Sequence, residues 1–138
     1  MEAWEPLQDV MEPTEESNKE VVREFYELAF NEHRPEEAAS RYMGLTYRQH
    51  NPTVPDGREA FIGFVGGFVK QFPELHVDVQ RVLADGDLVV LHSHMKVNPG
   101  DRGSPVVDIF RVENGKVVEH WDVVQQVPEK SANGNTMF

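Results

Sequence analysis

The sequence has no cysteine. That excludes a disulfide framework and a thiolate metal site, and it fits a reducing, cytoplasmic setting. Long apolar runs are missing too: no stretch approaches the roughly 18 consecutive apolar residues of a membrane span. The N-terminus, MEAWEPLQDVMEPTEES, lacks a basic start followed by an apolar run, so it does not read as a signal peptide. Basic residues are scarce, with 13 Lys and Arg against 24 Asp and Glu and a net charge of −11. That balance argues against nucleic acid or an anionic membrane as a partner. Much of the acid lies in residues 1–37, where it reads as a solvated tail and helix face.

What remains is a chain of 138 residues, long enough for one domain with a core of its own. Residues 1–16 read as a flexible acidic leader, with a short turn around Trp4 and Leu7, and 17–138 as the folded domain. Ser17 and Glu20 have capping-box spacing. Val21, Phe25, Leu28 and Ala29 then form one apolar stripe of a helix ending near Asn31–His33. Pro35 opens a second helix, with Ala38, Ala39, Tyr42 and Met43 on its buried side. Residues 45–50 alternate as a short edge strand. A third helix spans about 58–71, with Asp56 and Glu59 as a second capping box. Its stripe is Phe61, Phe64 or Val65, Phe68 and Phe72. Gly63, Gly66 and Gly67 are poor helix formers and predict close packing against the sheet.

After Pro73 come four β runs: 75–84, 87–97, 105–113 and 116–126. Asp85-Gly86 and Asn114-Gly115 join them in pairs, and both suit type I′ hairpin turns. Helices first and an antiparallel meander afterwards give an α+β fold. The expected form is a curved antiparallel sheet packed on three N-terminal helices, a cone with a pocket at its open end.

The stretch 87–126 concentrates the chemistry: His92, His94, Asp108, Glu119, His120, Trp121 and Asp122. A simple Asn114-Gly115 register pairs positions whose numbers sum to 229. Asp108 then faces Trp121, and Val106, Asp108, Phe110, Val112, Val117, Glu119, Trp121 and Val123 share the inner face. His120 and Asp122 fall on the other face, unless one bulge swaps the set. Crossing the loop 98–104 simply brings His94 near Asp108, with His92 and Val90 on the same side. An imidazole beside a carboxylate in a partly apolar pocket is an acid/base pair. Trp121 reads as pocket wall and Tyr47 and Gln49 as rim, while His50, just before Asn51-Pro52, can cap the bend. Each has a bland alternative as a core, bend or salt-bridge residue. His92-x-His94 could also hold a metal with His50 or His120, but the Gly86 to His94 spacing lacks the acid and second motif of a cupin. No metal is expected.

The segments YRQHNP (47–52), PDGREAF (55–61), ADGDLVVLHSH (84–94), DIFRVENGKVVEHWDVVQ (108–125) and VPEKSANGNTMF (127–138) resemble the SnoaL-like branch of the nuclear-transport-factor-2-like superfamily, over about residues 18–138. The resemblance implies an α+β cone, often a homodimer through the outer sheet face. It also implies cofactor-free aldol cyclisation of a small carbonyl substrate, as in polyketide cyclases. By motif position Asp108 is the acid/base, with His94 beside it and His50 and Trp121 as further pocket residues. The alternatives are isomerisation, dehydration or hydrolysis in the same pocket, or a ligand-binding or dimerisation module without catalysis.

Overall fold

The computed structural model describes residues 13–138; the turn expected at Trp4 and Leu7 lies outside them. The element order is α1 (Glu15–Tyr26), a π-helical turn (Glu27–Asn31), α2 (Pro35–Tyr42), β1 (Met43–Gln49), α3 (Arg58–Gln71), then β2 (His76–Asp85), β3 (Leu88–Lys96), β4 (Ser104–Glu113) and β5 (Lys116–Val124). The strands form one sheet in the order β1-β5-β4-β3-β2. β2 to β5 pair antiparallel as a meander, while β1 joins the far edge parallel to β5. The sheet is curved and does not close, and the helices cover its inner face, giving the α+β cone.

Helix α1 starts earlier than Ser17 and Glu20 suggest. Thr14 is the N-cap: its side chain accepts from the Ser17 N–H, and the Ser17 hydroxyl accepts from the Thr14 N–H. Thr14 and Ser17 therefore form the capping box. The stripe of α1 buries Val22, Phe25 and Tyr26, and the π-helical turn buries Leu28 and Ala29. Phe25 anchors the core, stacked on Phe61 of α3 at 5.1 Å and edge-on to Phe110 of β4 at 5.7 Å. Such aromatic pairs add about 0.5–1.5 kcal/mol beyond their burial.

Helix α3 differs from expectation in two ways. Its N-cap is Gly57, without a side-chain bond. Asp56 instead accepts the Gln49 N–H at 2.7 Å. Nor do the glycines mark close packing: a Cβ at Gly63 or Gly67 would meet no neighbour within 4 Å, and at Gly66 only Pro35 at 4.0 Å. The helix buries Phe61, Val65 and Val69, with Phe64 46% exposed. Three glycines thus weaken α3 with no packing gain to offset them.

The hairpins set the register. Asn114 and Gly115 both have positive φ, 52° and 75°, as a type I′ turn requires. The β2–β3 turn is shifted by one residue. Asp85 pairs with Leu88, so Gly86-Asp87 is central, and of the two only Gly86 has positive φ, 62°. Glycine first with one positive φ is the II′ pattern rather than I′.

The largest departure is on β5. Glu113 pairs with Lys116 and Val112 with Val117, but Arg111 pairs with Glu119. Val118 is the extra residue of a bulge. Both Val117 and Val118 are buried, which the strict alternation of a regular strand would forbid. Gly44 on β1 makes room for it, since a Cβ there would lie 2.8 Å from Val118 Cγ1. Beyond the bulge every side chain changes face. Asp108 pairs with Asp122 and Phe110 with His120, while Trp121 pairs with Ile109 on the outer side.

Candidate active site

Inside the cone lies a cavity of about 150 Å³. A cavity of that size holds a benzene-sized molecule. Its walls are mainly aromatic and aliphatic, including Phe30, Phe61, Phe64, Phe68, Phe110 and Val65, and its polar lining is Tyr26, Tyr47, Gln49, Asn51, Asp108, His120 and Asp122.

Asp108 is 3% exposed and makes two side-chain hydrogen bonds. Tyr26 of α1 donates its hydroxyl to Oδ2 at 2.8 Å. His120 Nε2 lies 2.8 Å from Oδ1. The other ring nitrogen, Nδ1, is 2.8 Å from Gln49 Oε1. That oxygen also accepts the Asn51 N–H at 3.0 Å, which identifies it as the amide oxygen. Nδ1 therefore carries a hydrogen and donates it. One further proton then lies between Nε2 and Oδ1. It makes the pair either imidazolium and carboxylate or imidazole and carboxylic acid.

A second carboxylate flanks the same ring. Asp122 Oδ2 is 3.8 Å from His120 Nε2, and Asn51 Nδ2 donates to its two oxygens at 3.0 and 3.2 Å. Burial pushes the Asp122 carboxyl above the ordinary range, and the charge of Asp108 adds to this; His120 and the Asn51 hydrogen bond oppose it. Burial also raises Tyr26 well above the usual phenol range, with Asp108 adding to the effect. Tyr47 is raised in the same way. Both phenols are thus neutral hydrogen-bond donors over the whole working range of a protein. Donor atoms of Asp108, His120 and Asp122 all lie within 4.8 Å of one another. A cation could sit among them only by displacing the proton between Nε2 and Oδ1.

Distant parts of the chain supply these groups. α1 places Tyr26 against Asp108, and the π-helical turn that follows places Phe30 beside Tyr26, ring centroids 4.6 Å apart. Parallel pairing of β1 with β5 sets Gln49 beside His120. The bend after β1 then carries Asn51 to Asp122.

The structure does not bring His94 to Asp108. Leu91 is the residue opposite Asp108 on β3 and is fully buried. Alternation puts His92 and His94 on the outer face. His94 stacks on Phe138 at 3.7 Å and donates through Nε2 to the Arg102 carbonyl at 2.9 Å. His92 Nδ1 accepts from Arg81 at 2.7 Å, leaving Nε2 to donate to the Met137 carbonyl at 3.1 Å. These two histidines hold the C-terminal tail against the sheet. Trp121 and His50, expected in the pocket, stack on each other outside it at 4.7 Å. Glu119, expected on the inner face, is also outside, bonded to His50 at 2.7 Å and to Arg111 at 2.8 Å. Those two partners, His50 first, hold its carboxyl below the usual range. Of the expected residues, Asp108, Phe110, Tyr47 and Gln49 line the cavity.

Sequence reasoning missed Tyr26 and Asn51, and its simple register placed His120 and Asp122 on the wrong face, with one bulge as the alternative that would swap them. Two adjacent valines at 117–118 were the available signal for a bulge. Nothing local marked Tyr26, which sits on an ordinary apolar stripe.

The comparisons agree with this architecture. A search of curated proteins returned no match. Among solved structures, the chain is similar to TsrD from Streptomyces laurentii, with a TM-score of 0.69, 22% identity, and 82% of this chain and 91% of that one covered. It is similar to a protein from Jannaschia sp. CCS1 named as a candidate SnoaL-like polyketide cyclase, with a TM-score of 0.67, 22% identity and coverages of 83% and 89%. It is also similar to a protein from Kribbella flavida named as a candidate ketosteroid isomerase, with a TM-score of 0.66, 20% identity and coverages of 86% and 84%. At these identities the likeness is one of fold, the nuclear-transport-factor-2-like cone. The SnoaL-like domain model matches residues 22–120, and the chain belongs to the SnoaL-like domain family.

Proposed function

We propose that the protein is a cofactor-free acid/base enzyme acting on a small carbonyl compound, of the aldol condensation or cyclisation type. One observation carries the reading: a buried Asp108–His120 pair, 2.8 Å apart, at the wall of a largely apolar cavity. His120 takes the place expected for His94.

Asp108, as carboxylate, takes an acidic proton α to the carbonyl. The Tyr26 hydroxyl and the His120 ring hold the carboxylate in place and share its charge. The abstracted proton rests on the Asp108 carboxyl, which returns it to the alkoxide oxygen that forms as the new C–C bond closes. Tyr47, a neutral donor lining the same cavity, supplies a hydrogen bond to the developing enolate oxygen. The apolar walls keep water out, which strengthens each of these interactions. A positioned acid/base contributes about 10²–10⁴-fold, so the substrate's own acidity supplies much of the rest.

Asp122 supports a second reading. A second carboxyl beside the same imidazole suits an isomerase, in which Asp108 removes the proton and Asp122 or His120 returns it at another carbon. Both readings begin with the same deprotonation, so one experiment tests both. Proton NMR in D₂O would follow α-hydrogen exchange in a panel of 1,3-diketones, β-keto esters and aryl ketones. Asp108→Asn and His120→Gln are expected to lower exchange by about 10²-fold or more, and His94→Ala to leave it unchanged. Wild-type exchange rates in Asp108→Asn would remove Asp108 from the role.

The outer sheet face, with Val123 68% exposed, supports the homodimer that the family resemblance implies; light scattering after gel filtration reads the mass. No described helix is long and apolar enough to cross a membrane.

A further inference from the structure

The inner cavity is small, yet it borders a second hollow. A groove of about 550 Å³ lies between the end of α3 and the β3–β4 connection, lined by Val97, Asp101, Arg102, Ser104, Gln126 and neighbouring groups. Phe68 and Met95 line both the groove and the inner cavity. They are the partition between the two.

On the helix side Phe68 is partly buried and packs against the hydrophobic core. The aromatic contacts of Phe68 run to Phe64 on the same helix at 6.2 Å and to Phe72, the C-cap residue, at 5.3 Å. Gly66 and Gly67 immediately precede Phe68, and a Cβ at Gly67 would meet nothing within 4 Å. Glycines in a helix interior cost about 1 kcal/mol each against alanine, and here they gain no packing in return. Phe68 therefore follows directly on two residues of low helix propensity.

The two spaces differ in chemistry. The inner one is walled by rings, with its acid/base groups on one side. The groove is polar. Asp101 accepts the N–H groups of Val97 and Gly103 at 3.1 and 3.0 Å, so both its oxygens are engaged. Among the described residues, the Arg102 guanidinium has one hydrogen bond, a long one of 3.4 Å to the Val127 carbonyl. Among the described residues it has no carboxylate partner. From Asp108 to Ser104 is four residues along β4, about 14 Å at strand rise.

We propose that the groove is a second subsite of the same site, joined to the cavity past Phe68 and Met95. It takes the polar end of an elongated amphipathic carbonyl compound, and Arg102 binds that end. The apolar head with the reacting carbonyl fills the benzene-sized cavity beside Asp108. This rests on the carbonyl reading above and adds to it the shape and polarity of the substrate.

Equilibrium binding tests it without turnover. Calorimetry would compare acetophenone, the head alone, with two series of increasing tail length: 4-acetylphenoxyalkanoic acids and matching 4-alkoxyacetophenones. In the wild type, the longer acids are expected to bind about tenfold or more tighter than acetophenone, the scale of a hydrogen bond to a charged group. Ser104→Trp, which fills the groove beside Met95, should cancel that gain while acetophenone still binds. Arg102→Gln should reduce the gain for the acids alone. Affinity independent of tail length, or a gain that survives Ser104→Trp, overturns the subsite. A gain untouched by Arg102→Gln overturns the assignment of the polar end. If acetophenone itself fails to bind, the carbonyl reading falls together with the subsite. Loss of α-proton exchange in Asp108→Asn with the length dependence intact separates the two claims.

Discussion

Asp108 and Asp122 stand directly opposite each other on β4 and β5, with His120 Nε2 at 2.8 Å from one carboxylate and 3.8 Å from the other. Two acids and one imidazole on a cavity wall cannot all be independently charged without cost. Tyr26, Gln49 and Asn51 each satisfy one of them. The arrangement is a coupled set of two carboxyls and one imidazole, and its stability depends on pH.

Asp122 carries that dependence in a definite direction. Its carboxyl is raised above the ordinary value of 3.8, mainly by burial. Between the ordinary and the raised value the folded state binds more protons than the unfolded chain. Stability from this group is therefore present at low pH and falls as pH rises through the window. Asp122→Asn removes the buried charge. Thermal unfolding at a series of pH values should show the variant above the wild type at pH 7, with the gap closing toward pH 4. A variant less stable at pH 7 would mean that the attraction to His120 outweighs burial.

Tyr26→Phe removes the donor to Asp108 Oδ2 and leaves the ring in place. A buried charged acceptor that loses its hydrogen bond costs about 1.5–3 kcal/mol. Chemical denaturation should show that loss with an unchanged m-value. The exchange assay should also fall, because the carboxylate loses one of the two bonds that orient it. Wild-type stability would show that the Tyr26 hydroxyl contributes nothing net.

Two glycines predict opposite outcomes for the same substitution. Gly67→Ala meets no neighbour within 4 Å and should stabilise α3 by about 1 kcal/mol. Gly44→Ala would set a Cβ 2.8 Å from Val118 Cγ1, an overpacking that costs about 1–3 kcal/mol. Because Val118 is the bulge residue, Gly44→Ala should also disturb the His120 ring signals in NMR spectra. Equal effects at the two positions would refute the reading of Gly44 as the space that admits the bulge.

Most of the fold was legible because it is local. Turn chemistry at Asn114-Gly115, the apolar stripes of α1 and α3, Pro35 at a helix start and the alternation of β4 each depend on neighbours a few residues away. They sufficed to place Asp108 and Phe110 on one face, and the segment motifs carried the family resemblance. The β3–β4 register was not legible, since the connection from β3 to β4 does not fix it, and His92 and His94 fell on the wrong face.

By itself, then, the sequence determined the helix-then-meander order, the Asn114-Gly115 hairpin and an inward Asp108. The tertiary structure decided which groups meet that aspartate. Val117 and Val118 can both be buried only because β1 presents Gly44 to the second of them. The resulting bulge turns His120 and Asp122 inward and Trp121 outward. Tyr26 reaches Asp108 across 82 positions of chain, and Gln49 reaches His120 across 71. Contacts of that range are fixed by packing and close approach, and no short window of residues encodes them.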